Sequence, residues 1–289
     1  MLDGFDYVKP NSLTEALKDL NEEGALALAG GTDVLVNLRE EKIKVKKLVD
    51  LKGLKELKGI KKIPGGVLIG ALTPVEEIVR SPLLKGYRAL QEGASRLGCL
   101  EIRWRATIGG NICNGSPSAD TVPGLLIYDA EVIIYSKEGE KKINLEDFLT
   151  GPGKVKINQG EVLTAIILPE AAPLGDSRYY RISRVKGMDL SSINIGIYAA
   201  PQGVNGMTWI KIALGAVLPK VTRMHEAEEF MNKELLTKIR LEEAINNIVT
   251  KISPRVGSLR ATPAYKKVMV EKLIKKGILE MLWGDKNES

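Results

Sequence analysis

Two short runs of small residues carry the clearest chemistry in this sequence. Ala29-Gly30-Gly31-Thr32-Asp33 and Thr107-Ile108-Gly109-Gly110-Asn111 each sit at a bend flanked by strand and helix signals, about 80 residues apart. Glycine at such a bend permits positive φ and lets the backbone come close to a ligand. N–H groups that converge there make a neutral cradle for a phosphate. Neither run contains Lys or Arg, and neither matches G-x-x-x-x-G-K-[ST] or G-x-G-x-x-G, so a P-loop and a dinucleotide Rossmann turn are excluded at these positions. An ordinary tight turn explains either run taken singly. Acting together, two neutral cradles would grip the halves of one diphosphate from opposite sides, as for a dinucleotide held outside the Rossmann plan.

Scarcity limits the other options. Cys99, Cys113 and His225 are the full set of cysteines and histidines, whereas an iron–sulfur cluster or a structural zinc site needs about four such ligands. The cysteines stand 14 positions apart, outside any C-x-x-C pattern, and Cys113 reads as a packing thiol. Nothing around His225 resembles a nucleophile site, and it reads as a helix-surface residue. The net charge of +6 raises nucleic acid as a partner, but the basic residues are mostly Lys interleaved with acids and aromatics are only 5%. That pattern fits a solvated face or a subunit docking surface better than nucleic-acid readout. No apolar run reaches bilayer length, and Met1 to Asp6 opens acidic, without the apolar core of a signal peptide, so no membrane span and a cytoplasmic address are expected.

The elements that must position the bends follow from periodicity and caps. Ser12-Leu13-Thr14-Glu15 is a capping box, with Leu13, Ala16, Leu17 and Leu20 at helical spacing up to Gly24. A strand over Ala25 to Ala29 and a helix over Thr32 to Arg39 place the first bend between them. Strands are expected at Lys47 to Leu51, Val67 to Ala71, Glu131 to Tyr135 and Glu161 to Leu168, with helices starting at Thr73-Pro74, over Leu83 to Leu97 and over Ala119 to Tyr128. Glu170 to Ser177 reads as a linker. Beyond it, strands at Tyr179 to Val185, Ser192 to Ala200 and Thr208 to Val217, with a hairpin-like Gln202 to Gly206, precede helices at Thr222 to Met231, Glu234 to Ile252 and Pro263 to Trp283. Strands followed by helices indicate a separate α+β module.

Ala29 to Asp33 and Thr107 to Asn111, followed by Ser118-Ala119-Asp120-Thr121-Val122-Pro123, closely resemble the FAD-binding (medium) subunit of molybdenum hydroxylases, the family of xanthine dehydrogenase, carbon monoxide dehydrogenase and aldehyde oxidoreductase. The resemblance runs on through Glu161 to Pro169 and Arg181 to Leu190. It implies an α+β chain: a two-part FAD-binding domain of the non-Rossmann, PCMH-type flavoprotein fold over 1–172, with subdomains of about 1–60 and 61–172, then a smaller C-terminal domain of the CO-dehydrogenase flavoprotein type over 176–289. It also implies non-covalent FAD, its diphosphate held by backbone amides of Ala29, Gly30, Gly31, Thr32, Asp33, Thr107, Ile108, Gly109, Gly110 and Asn111. Asp120 would accept hydrogen bonds from sugar or ribityl hydroxyls, and Leu163 would pack on the adenine side. Lys186 and Asp189 carry over as the basic and acidic members of the Arg184 to Asp189 motif. Arg181 stands where relatives often have Lys near the ring.

The function so implied is electron transfer: from iron–sulfur clusters on a small partner subunit, through FAD, to an external acceptor. The substrate, an aldehyde, a purine-type heterocycle or CO, is oxidised at molybdopterin on a large subunit. The assembly would be a heterotrimer or its dimer, with molybdopterin and [2Fe-2S] on the partners only. The alternatives are a free-standing flavin-dependent reductase of the same fold and a basic nucleic-acid-associated protein.

Overall fold

The structure is a computed structural model that describes residues 4–171, 175–202 and 207–284, with the backbone alone at 201, 202 and 207. The middle of the expected linker, 172–174, and most of the expected hairpin, 203–206, lie outside the described residues.

The first layer comprises β1 (Asp6–Val8), α1 (Leu13–Leu20), β2 (Ala25–Leu28), α2 (Val34–Arg39) and β3 (Lys47–Asp50). Its strands run in the order β1-β3-β2, parallel throughout. The Ser12 hydroxyl caps α1 by accepting from Glu15 N at 3.2 Å, and the Glu15 carboxylate accepts from Asn11 N, one residue ahead of the expected box partner. Ala16, Leu17 and Leu20 turn the buried face of α1 towards Val49 and Leu51. Gly24, at φ +80°, then reverses the chain into β2.

The second layer holds β4 (Ile60–Ile63), β5 (Gly66–Gly70), α3 (Val75–Arg80), α4 (Arg88–Arg96), α5 (Leu100–Arg105), α6 (Ile108–Cys113), α7 (Val122–Leu126), β6 (Glu131–Ser136), β7 (Gly139–Asn144), α8 (Leu145–Phe148), the ribbon of β8 (Leu149–Gly151) and β9 (Lys154–Val155), and β10 (Val162–Pro169). The main sheet is antiparallel in the order β4-β5-β10-β6-β7. Central β10 is buried almost end to end, and its register breaks between Leu163 and Ala165.

The third layer has β11 (Asp176–Ile182), β12 (Ile193–Gln202), β13 (Met207–Gly215), β14 (Thr222–Arg223), α9 (His225–Asn232), α10 (Lys238–Lys251) and α11 (Pro263–Trp283). The strands form an antiparallel sheet in that order. Side chains alternate across β12. Ile193, Ile195 and Ile197 join the core under α9, α10 and α11, while Tyr198 and Ala200 join the core of the second layer.

Several expected boundaries move. The helix expected over Leu83 to Leu97 is a 3-10 turn at Pro82–Leu84 followed by α4. The one expected over Ala119 to Tyr128 contracts to α7, because Ala119 and Asp120 bond to the third layer instead. Thr222 and Arg223 are strand, so the next helix starts at His225.

The third layer docks on the second through an apolar and ionic seam. Tyr87, Tyr128 and Tyr198 stack edge to face, with ring centroids 4.8 and 5.5 Å apart. Pro123 of α7 lies against Gly196 of β12, where a Cβ would come within 2.7 Å of the Pro123 carbonyl oxygen. Buried Arg223 pairs with Glu228 at 2.5 Å and with Asp129 at 2.7 Å, and donates to the Leu126 carbonyl at 2.9 Å. Removing one partner strands a buried charge. Arg223→Met should therefore lower stability by about 3–5 kcal/mol, seen as an earlier urea midpoint; an unchanged midpoint would contradict the ionic part of the seam.

Candidate functional site

The first bend leaves β2 at Leu28 and enters α2 at Val34, with Gly31 at φ +79°. Gly30 lies on the backbone of the second bend's approach: a Cβ there would run into the Arg105 carbonyl and stand 2.9 Å from Ala106 Cα. The N–H groups of Gly30 to Val34 meet no acceptor among the described residues. Successive unpaired amides at a bend are an anion cradle.

The second bend is built differently. Thr107 caps α6, its hydroxyl accepting from Gly110 N at 3.1 Å. Ile108 N donates to Thr73 O at 3.1 Å, Gly109 N to Ala71 O at 2.9 Å and Asn111 N to Thr107 O at 2.9 Å. All four amides from 108 to 111 are thus already engaged, which corrects the expectation that they form a second set of free donors. Its outward features are the bare Cα of Gly110 and the side chain of Asn111. Asn111 Oδ1 accepts from Thr121 Oγ1 at 2.6 Å, and its Nδ2 donates to nothing among the described residues. A Cβ built on Gly110 would stand 3.7 Å from Ala29 Cβ, so the two bends close on each other. Leu163, beside the irregularity in β10, lies against Gly109, 3.0 Å from the position of a Cβ there.

Asp120 is buried next to this pair. Its Oδ1 accepts from Tyr179 Oη at 2.5 Å and from Ser191 Oγ, and its Oδ2 lies 3.7 Å from Arg181 Nη1. Burial raises the carboxyl pKa, and the Ser191 and Tyr179 hydroxyls with the Arg181 charge oppose that rise. Arg181 spends Nη1 on the Arg96 carbonyl at 2.5 Å and Nη2 on the Asp189 carbonyl, while its buried Nε has no partner among the described residues. A buried donor without an acceptor costs free energy unless a ligand meets it.

Unpaired amides facing a glycine-lined gap, a buried carboxylate and an orphaned guanidinium nitrogen together suit a polyol diphosphate. Residues 3–171 match the model of the FAD binding domain in molybdopterin dehydrogenase, and residues 178–281 match the CO dehydrogenase flavoprotein C-terminal domain. The chain belongs to the FAD-binding subunits of molybdenum hydroxylases. Among its relatives, the putative xanthine dehydrogenase FAD-binding subunit of Escherichia coli (strain K12) is 31% identical over 97% of both chains. The nicotinate dehydrogenase FAD-subunit of Eubacterium barkeri is 28% identical over 98% of this chain and 99% of its own. A chain of carbon monoxide dehydrogenase from Hydrogenophaga pseudoflava superposes with a TM-score of 0.91 at 26% identity, covering 98% of this chain and 99% of that one.

Lys186 is exposed on the loop between β11 and β12, and no bond ties it to another candidate. The Asp189 carboxylate pairs with Arg184 at 3.2 Å, which holds its pKa down at about 2. Cys113 packs on the second-layer core and burial pushes its thiol up to about 12, in keeping with a packing role. His225 bonds Glu146 at 2.7 Å at the start of α9. Exposed Trp104 carries the Arg80 guanidinium over its ring at 5.4 Å. Sequence reasoning missed Thr121 and Ser191. Of the two neighbouring tyrosines on β11, Tyr179 is buried against Asp120, while Tyr180 packs on the third-layer core and donates to Glu280 at 2.8 Å.

The Thr107 cap gives a local test. Thr107→Ala should destabilise the chain by about 1 kcal/mol, and Thr107→Ser far less, by urea denaturation; equal losses would show that the hydroxyl is not what holds the bend.

Proposed function

We propose that this chain is the FAD-carrying electron-transfer subunit of a molybdenum hydroxylase, receiving electrons from iron–sulfur clusters on a small partner subunit and passing them to an external acceptor. The observation that carries the reading is the closure of Gly110 on Ala29 beside the unpaired amides of Gly30 to Val34. Those amides would take the diphosphate of a non-covalent FAD, with Ala29 forming the wall opposite Gly110. Thr107 and Ile108 would fix the second wall, and Asn111 Nδ2 would add a neutral donor. Leu163, below Gly109, would give the adenine an apolar floor. Asp120 would accept from a ribityl hydroxyl, and the Arg181 charge would sit towards the ring, with Lys186 and Asp189 on the adjoining loop. When bound, FAD takes up electrons singly and gives them up in pairs, which suits the end of a cluster relay.

The surrounding protein excludes water and holds the groups in place, since Ile108, Gly109, Asp120 and Leu163 are all buried. In this reading the substrate, an aldehyde, purine-type heterocycle or CO, is oxidised at molybdopterin on a large subunit, in a cytoplasmic heterotrimer or its dimer. No helix of the described residues is long and apolar enough to cross a membrane.

Two measurements test it. Gly110→Val should lose bound flavin by absorbance while keeping the far-ultraviolet dichroism of the parent; full flavin in that variant would refute the cradle. Affinity purification from the native source should bring down a molybdopterin subunit and a cysteine-rich one, and recovery of this polypeptide alone would refute the relay role.

A further inference from the structure

The buried carboxylate of Asp120 is held from the other side of the seam. The side chains that bond or face it come from the third layer or the loop leading into it: Tyr179 and Arg181 on β11, Ser191 just before β12, and Asn194 on β12. The segment that carries Asp120 is stitched to the same layer. Asn194 Nδ2 donates to the Ala119 carbonyl at 3.1 Å, Ser118 Oγ to the Ser191 carbonyl at 3.1 Å, and Ala216 N to the Pro117 carbonyl at 2.7 Å. On its own side, Asp120 is followed by Thr121, which bonds Asn111 of the second bend.

The two hydroxyls converge on one oxygen. Oδ1 accepts from both Tyr179 and Ser191, while Oδ2 faces Arg181 at a distance outside hydrogen-bond reach. Two donors on one oxygen fix the rotation of the carboxylate plane and favour its ionised, accepting form against the pull of burial. A carboxylate that served only to tie the seam would close on the guanidinium. Arg181 instead bonds two carbonyls and keeps a buried Nε without a partner.

We infer that Tyr179 and Ser191 are positioning residues for the flavin site: they saturate Asp120 Oδ1 and so present Oδ2 as the acceptor for a hydroxyl of the FAD ribityl chain. The inference rests on the role proposed above for Asp120. It makes the third layer, which supplies no cradle, a determinant of how tightly the second layer holds its flavin.

A double-mutant cycle separates this from a merely structural role. The full chain, stripped of flavin, is titrated with FAD in four forms: parent, Tyr179→Phe, Asp120→Asn and the double variant. Tyr179→Phe should weaken FAD binding about tenfold in the parent, the usual size for a hydrogen bond to a charged group, and less than twofold in the Asp120→Asn background. Ser191→Ala should reproduce the loss, and Ser191→Thr, which keeps the hydroxyl, should restore most of it. Equal losses in both backgrounds, or no loss from Tyr179→Phe, would overturn the positioning role while leaving the flavin reading intact. A parent chain that takes up no FAD would overturn both. Thermal melts of each form identify a variant that fails to fold, in which case the Ser191 pair decides.

Discussion

The structure depends on a backbone-to-backbone approach that only glycine permits. Gly30 lies against the carbonyl of Arg105, and Gly110 lies close to Ala29, so two bends remote in sequence share one surface. Any side chain at Gly30 would force the layers apart. The contact is what turns two commonplace turns into one concave, amide-lined site. Without it, the parallel three-stranded layer and the antiparallel five-stranded layer would have no common functional edge.

The two bends divide the work unequally. The first keeps its amides unpaired, and the second has spent its own on Ala71, Thr73 and Thr107. A rigid wall of satisfied backbone facing a row of open donors is preorganised: the donors await a ligand, and the wall need not rearrange to admit one. The same economy governs Asp120. Its charge is buried, yet it is served by hydroxyls and a guanidinium from across the seam, so docking of the third layer and readiness of the site are coupled through one carboxylate.

Much of this was legible in the sequence, for reasons that differ by element. The α11 bounds could be read outright, because Thr262 caps, Pro263 starts the helix and apolar residues recur to Trp283. The glycine runs could be read because chemistry restricts what stands at a close approach. The helix α6 was not legible: its first turn contains the glycine pair, poor helix formers that local preference assigns to a turn, and tertiary bonds to Ala71 and Thr73 override it. Nor could the inner bonding of the 108–111 amides be read, since nothing local says whether a bend's donors face inward or out. Lys186 illustrates the converse. Its motif marked it, but it stands exposed on the loop between β11 and β12, and no bond ties it to another candidate among the described residues.

Hydrogen–deuterium exchange of the chain with and without FAD reads the central claim amide by amide. The account predicts new protection on FAD binding across Gly30 to Val34 and little change from Ile108 to Asn111, whose N–H groups are already bonded. Protection that appeared elsewhere, or not at all at the first bend, would contradict it.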